Sequence, residues 1–149
     1  MFKYLLVAVL APAMVLASVD IIPCSPDVNR PAVLEVAGCS GSVCNLVQGQ
    51  AINAVARGIP SNGPVPATTE PYINLLIGGL TQNFPVPDHM TNACNFISPP
   101  CASVTNTFDY SINIDQLQAS GTGIPIQIEI ALRNAGTVLA CARFAATVN

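Results

Sequence analysis

Six cysteines constrain this chain more than any hydrophobic stretch in it does. Cys24, Cys39, Cys44, Cys94, Cys101 and Cys141 all follow an apolar leader in a chain of 149 residues. An even number behind such a leader reads as three disulfides formed in an oxidising compartment. Six cysteines allow fifteen pairings, and spacing favours one without excluding the rest. Cys39 and Cys44 stand either side of Gly41, and Cys94 and Cys101 either side of Pro99-Pro100, so each pair spans a short loop. That leaves Cys24 for Cys141, a bridge closing nearly the whole domain into one loop, which the chain-entropy account values at about 4–5 kcal/mol. No Cys-x-x-Cys pair occurs, so a zinc site is not expected, and no other metal or cofactor is implied.

The leader itself is short. Met1-Phe2-Lys3 gives a positive start, Tyr4 to Leu16 is an almost unbroken apolar run, and Val15-Leu16-Ala17 supplies small residues of the kind a signal peptidase reads. Residues 1–17 are predicted to be a signal peptide cleaved after Ala17, leaving 18–149 as one domain. The apolar run is shorter than the roughly 20 residues that span a bilayer and contains Pro12. No later segment is long and apolar enough, so no stable membrane insertion is expected. Lys3 is the only lysine, and beyond the leader four arginines face eight carboxylates with no basic run. Nothing would track a phosphate backbone, which excludes nucleic acid. Only 9% of the chain is charged and tryptophan is absent. Such a domain needs either a thick aliphatic core or an internal cavity with aliphatic walls.

The apolar pattern has the period of strands. Phe108, Tyr110, Ile112 and Ile114 alternate with Asp109, Ser111, Asn113 and Asp115; Ile126, Ile128, Ile130 and Leu132 alternate with Gln127, Glu129 and Arg133. Gly121-Thr122-Gly123 and Asn134-Ala135-Gly136 punctuate them, and Thr137 to Val148 follows. These three strands are expected to form an antiparallel meander, with Glu129 on a wet face. Val33 to Val36 and Gln50 to Arg57 read as strands, Ile59 to Pro66 as a loop, and Thr69 to Leu80 as mostly a strand, weakened by Pro71 near its start and by Gly78-Gly79. Phe84-Pro85-Val86-Pro87 cannot donate ladder bonds at its prolines and reads as an extended edge. The fold class is all-β: an immunoglobulin-like β-sandwich of two antiparallel sheets with three disulfides.

With those motifs in place, the chain resembles the ML lipid-recognition family, which includes the secreted soluble Niemann-Pick type C protein and group-two mite allergens. The resemblance rests on the signal peptide, the six-cysteine layout, Cys44-Asn-Leu-Val-Gln-Gly-Gln50, and Gly78-Gly79-Leu80 running into Phe84-Pro85-Val86-Pro87-Asp88 before Cys94. It covers the chain from Cys24 to Cys141 and implies the pairs Cys24–Cys141, Cys39–Cys44 and Cys94–Cys101. It also implies a lipid held between the sheets: a sterol, a fatty acid or a semiochemical. Phe84 matches a Phe that touches sterol in the family's carriers, and Leu117 and Ile124 fall in the region of two further pocket positions. Val86, Tyr110 and Phe108 complete the candidate lining, although residues placed like Phe108 and Tyr110 are more often core than pocket. Family members often carry Trp where this chain has Ile130 and Ala142.

The expected function is therefore that of a secreted, monomeric lipid carrier, extracellular or in the endosomal and lysosomal lumen. The absence of an Asn-x-Ser/Thr sequon favours the extracellular fluid. The competing reading is a secreted interaction module that presents lipid to, or binds, a receptor in innate immunity. No enzyme is expected. His89 is the only histidine, no Gly-x-Ser-x-Gly elbow occurs, and Glu35, Glu70 and Glu129 are scattered.

Overall fold

The structure is a computed structural model that describes residues 17–114 and 123–149. Its strands are β1 (Ser18–Val19), β2 (Val33–Val36), β3 (Cys44–Leu46), β4 (Ile52–Pro60), β5 (Glu70–Ile77), β6 (Leu80–Phe84), β7 (Ile97–Ser98), β8 (Thr107–Ile114), β9 (Ile124–Asn134) and β10 (Thr137–Val148). They form two five-stranded sheets, ordered β1-β2-β4-β8-β7 and β3-β10-β9-β5-β6. Among the described residues every strand pair is antiparallel except β3 with β10. The only helical pieces described are three short 3-10 turns, at Asp88–Met90, Ala93–Phe96 and Cys101–Ser103.

The alternation read from the sequence is what packs the sandwich. Phe108, Tyr110, Ile112 and Ile114 are buried, as are Ile126, Ile128, Ile130 and Leu132. Both sets point into the space between the sheets, where Ile128 and its cross-strand partner Phe144 are fully enclosed. The Asn134-Ala135-Gly136 turn joins β9 to β10 as expected, with Ala135 and Gly136 both at positive φ.

Three expectations are corrected. The strands from 107 to 148 are not one meander: β8 lies in the first sheet, β9 and β10 in the second. Alternation shows that a strand has one buried face, and both sheets bury theirs in the same core, so the pattern is blind to which sheet receives it. Thr69 to Leu80 is not one strand but most of a hairpin. Gly78 and Gly79 have φ of 55° and 84°, the left-handed pair that a two-residue turn matched to strand twist demands, and Ile77 pairs directly with Leu80. The predicted loop from Ile59 starts two residues late, because β4 continues through a bulge between Ala56 and Ile59 to Pro60. Gly58, at φ 66°, makes that bulge, and its N–H donates to Asp109 Oδ1 at 2.9 Å.

The two long edges of the sandwich differ. Along one, the chain laces both sheets together. Ser18 and Val19 pair with Glu35 and Leu34 in the first sheet. Three residues on, Ile22 exchanges backbone hydrogen bonds of 2.8 and 3.2 Å with Arg143 of β10 in the second. Asn29 then accepts from the Cys141 N–H at 2.9 Å, and the Cys24–Cys141 disulfide fastens the same segment to β10. Along the other edge lie β6 and β7, joined by the proline-rich segment and its 3-10 turns, with the Cys94–Cys101 disulfide at its end. Cys39–Cys44 closes a second short loop.

Because the Cys24–Cys141 bridge spans 117 residues and Cys39–Cys44 only 5, loop entropy predicts unequal losses. Replacing the first pair by serine should cost about 5 kcal/mol and the second about 2 kcal/mol, read by urea unfolding. Equal losses would show that loop closure does not set their worth.

Candidate functional site

Between the sheets, packing is uneven along the strands. Around Phe144 and Ile128 the core is solid. Nearer the Cys24–Cys141 end, four inward positions carry alanine: Ala54 and Ala56 on β4, Ala140 and Ala142 on β10. These small side chains, two from each sheet, leave a void completed by Leu34, Ile59, Tyr110, Ile112, Ile130 and Leu132. The space open to a water centre is about 20 Å³, enough for roughly one water molecule. Drug-sized ligands occupy roughly 300–1,000 Å³, so a lipid enters only if the sheets part. No charged side chain lines the void. Tyr110 is among its lining residues, and the Tyr110 hydroxyl is buried without a hydrogen-bond partner. Burial pushes the Tyr110 phenol well above its ordinary pKa.

Register connects this void to the proline-rich edge. Phe84 pairs with Ile73, Ile73 with Ile130, and Ile130 with Ala142. Directly paired residues share a face of the sheet, so these four form one inward row across β6, β5, β9 and β10. Its inner half lines the void, and Phe84 stands at its outer end, about 10 Å away at two strand spacings. Ile130 and Ala142 are thus direct cross-strand partners on the wall of the void.

The neighbouring row faces outward and is polar. Asn83, Asn74, Glu129 and Arg143 are successive partners across the same four strands. Asn83 donates to Asn74 at 3.2 Å, Asn74 to Glu129 at 2.9 Å, and Arg143 Nε to Glu129 at 2.6 Å. Glu129 is 9% exposed, which corrects the wet face expected for it: its neighbours across the strands and the Cys24 segment cover it. Burial alone would raise its pKa, but the bonds from Asn74 and Arg143 outweigh that and hold the carboxyl below its ordinary value. Cys24, Glu129 and Cys141 lie close together, but both sulfurs are in the disulfide, so the group offers a metal only one carboxylate.

A wider depression of about 340 Å³ lies over the first sheet, lined by Glu35, Asn53, Arg57, His89, Phe96 and Ser111 among others. Its charges satisfy one another, with Arg57 bonded to Glu35 at 3.0 Å and to Asp109 at 3.4 Å. Among the described residues no hydrogen bond joins His89 to Ser111 or to a carboxylate.

Several solved structures resemble this fold, and one of them illustrates the likeness. It is a Niemann-Pick type C2 protein from Japanese carpenter ant, 14% identical, with a TM-score of 0.69 over 87% of this chain and 99% of that one. At that identity the likeness is one of fold. No protein-family model matches the chain, and no curated protein matches it in sequence.

Of the residues singled out from sequence, Tyr110 is on the wall of the void. Phe84 and Val86 are half-buried against the core at the proline-rich edge. Phe108 is buried near Pro60, Val65 and Leu139; it pairs with Ile59 but is not itself among the residues lining the void. Ile124 is 37% exposed at the start of β9, paired with Val148, and Leu117 lies outside the described residues. Tyr72 faces neither core nor void, its ring lying 4.4 Å from the Arg133 guanidinium. Sequence reasoning missed the alanines. The available signal was small residues recurring at inward parity, Ala54-x-Ala56 and Ala140-x-Ala142.

Two outcomes follow. Ala142→Leu should fill the void and weaken the binding of any apolar probe held there roughly tenfold or more, at a stability cost no larger than the ~1–3 kcal/mol of overpacking; unchanged binding would place the probe elsewhere. Glu129, with its folded pKa depressed, contributes stability that is complete above its unfolded pKa and lost as pH falls through the folded value. Glu129→Gln should flatten the acid limb of a stability–pH curve below about pH 4.5 and leave its shape near neutrality unchanged.

Proposed function

We propose that this protein is a secreted lipid carrier holding a sterol, a fatty acid or another apolar lipid between its two sheets. The observation that carries the reading is the void itself, walled by aliphatic side chains from both sheets and held open by alanines where a packed core would have larger residues. The fold shared with the carpenter-ant Niemann-Pick type C2 protein and the ML-like motifs support it. Three disulfides and the signal-like leader support an oxidising, extracellular or lumenal setting.

The asymmetry of the edges gives the motion a direction. The laced edge resists separation, since parting it breaks backbone pairs and strains a disulfide. The edge at β6 and β7 lacks ladder bonds between the sheets among the described residues, and Pro85 and Pro87 have no N–H to supply them. The sheets would therefore hinge about the laced side and admit lipid past Phe84 and Val86, along the inward row towards Ile130. Burying a few hundred Å² of apolar ligand returns on the order of 10 kcal/mol, and immobilising it consumes several of those. An aliphatic wall discriminates loosely, by about 1–3 kcal/mol per methylene. Nothing in this scheme requires bond making, and the chemistry of the void supports binding and release rather than turnover.

The test is lipid extraction and mass spectrometry on protein secreted from eukaryotic cells, beside a Phe84→Ala variant. A stoichiometric lipid, reduced in the variant, is expected. Protein that carries none, and takes up neither added sterol nor added fatty acid, would refute the carrier reading and turn attention to a protein partner.

A further inference from the structure

The carrier reading leaves open which end of a lipid goes in first, and Tyr110 bears on it. The residue is 2% exposed, it lines the void, and its hydroxyl is buried with no hydrogen-bond partner in the protein. A buried hydroxyl left unpaired costs free energy that a hydrogen bond recovers. An ordinary core at this point of β8 would carry Phe, as the strand does two residues earlier at Phe108. The hydroxyl is spare in the fold.

We infer that the Tyr110 hydroxyl anchors the polar end of the bound lipid, and that the void selects lipids bearing one uncharged oxygen, a hydroxyl or a carbonyl, on an otherwise apolar body. The inference rests on the carrier reading and deepens it. The chemistry decides for an uncharged group. A phenol both donates and accepts, so it pairs with an alcohol or a ketone alike. The void holds no cation to neutralise a carboxylate or phosphate, and an unpaired charge there would be far costlier than an unpaired hydroxyl. The phenol itself stays protonated, because burial opposes its ionisation. The lipid's oxygen then lies at the Tyr110 hydroxyl, and its apolar remainder runs along the inward row towards Phe84.

The experiment compares hexadecanol, hexadecane and palmitate, each displacing a fluorescent apolar reporter from the wild-type protein and from Tyr110→Phe. The wild type should prefer hexadecanol to hexadecane roughly three- to tenfold, the range one neutral hydrogen bond supports, and should bind palmitate most weakly near neutral pH. Tyr110→Phe should bind hexadecane as well as the wild type does and lose the preference for the alcohol. A preference that survives the substitution, or palmitate bound most tightly, overturns the anchor while leaving the carrier reading intact. A wild type that binds none of the three overturns both. Should the variant fold poorly, the wild type decides the matter: ring-labelled Tyr110 must shift its ζ-carbon resonance with hexadecanol and not with hexadecane, and identical spectra would refute the role.

Discussion

The bond between Cys24 and Cys141 and the backbone pairing of Ile22 with Arg143 beside it govern how the two sheets relate. A β-sandwich is held mainly by the apolar contact between its inner faces, which has no direction and tolerates sliding or splaying. Here one short segment belongs to the first sheet at Ser18–Val19 and to the second at Ile22, and a covalent bond fixes it there. The sandwich thus has one side laced between the sheets and another, at β6 and β7, without strand pairing between them among the described residues. Phe84 and Val86 are at that second side, and the void lies between them and the laced one.

Side-chain volume then decides where a sandwich so closed is hollow. Where Phe144 and Ile128 meet, the core is filled; where Ala54, Ala56, Ala140 and Ala142 meet, it is not. Each alanine alone is unremarkable in a strand. Their convergence from two sheets spreads the missing volume over a shared space, in which the Tyr110 hydroxyl is left without a protein partner. A void of this size holds no more than about one water, so a larger ligand would need the sheets to part.

One residue of register separates the apolar row Phe84–Ile73–Ile130–Ala142 from the polar row Asn83–Asn74–Glu129–Arg143. The two rows are opposite faces of the same four strands, so a slip by one position would exchange them. The charge-assisted bonds of Glu129 with Asn74 and Arg143 therefore do more than satisfy a buried carboxylate. They set against the slip, from the outer side, the same register that the apolar row favours from the inner side.

The sequence by itself determined the fold class, the buried parity of β8, β9 and β10, and the hairpin turn at Ala135-Gly136, because strand periodicity and turn chemistry are local properties. It also indicated the three disulfides, two of them through short spacing. Only the tertiary structure decided that β8 and β9 lie in different sheets, since either sheet offers the same core to an alternating strand. Only the tertiary structure brought the alanines of β4 and β10 together, because they lie more than eighty residues apart and a void is a property of facing surfaces rather than of a segment. Glu129 shows the same limit. Its alternation with Ile128 and Ile130 placed it on the outer face correctly, but its burial depends on Asn74, Arg143 and the Cys24 segment, which only the fold assembles around it.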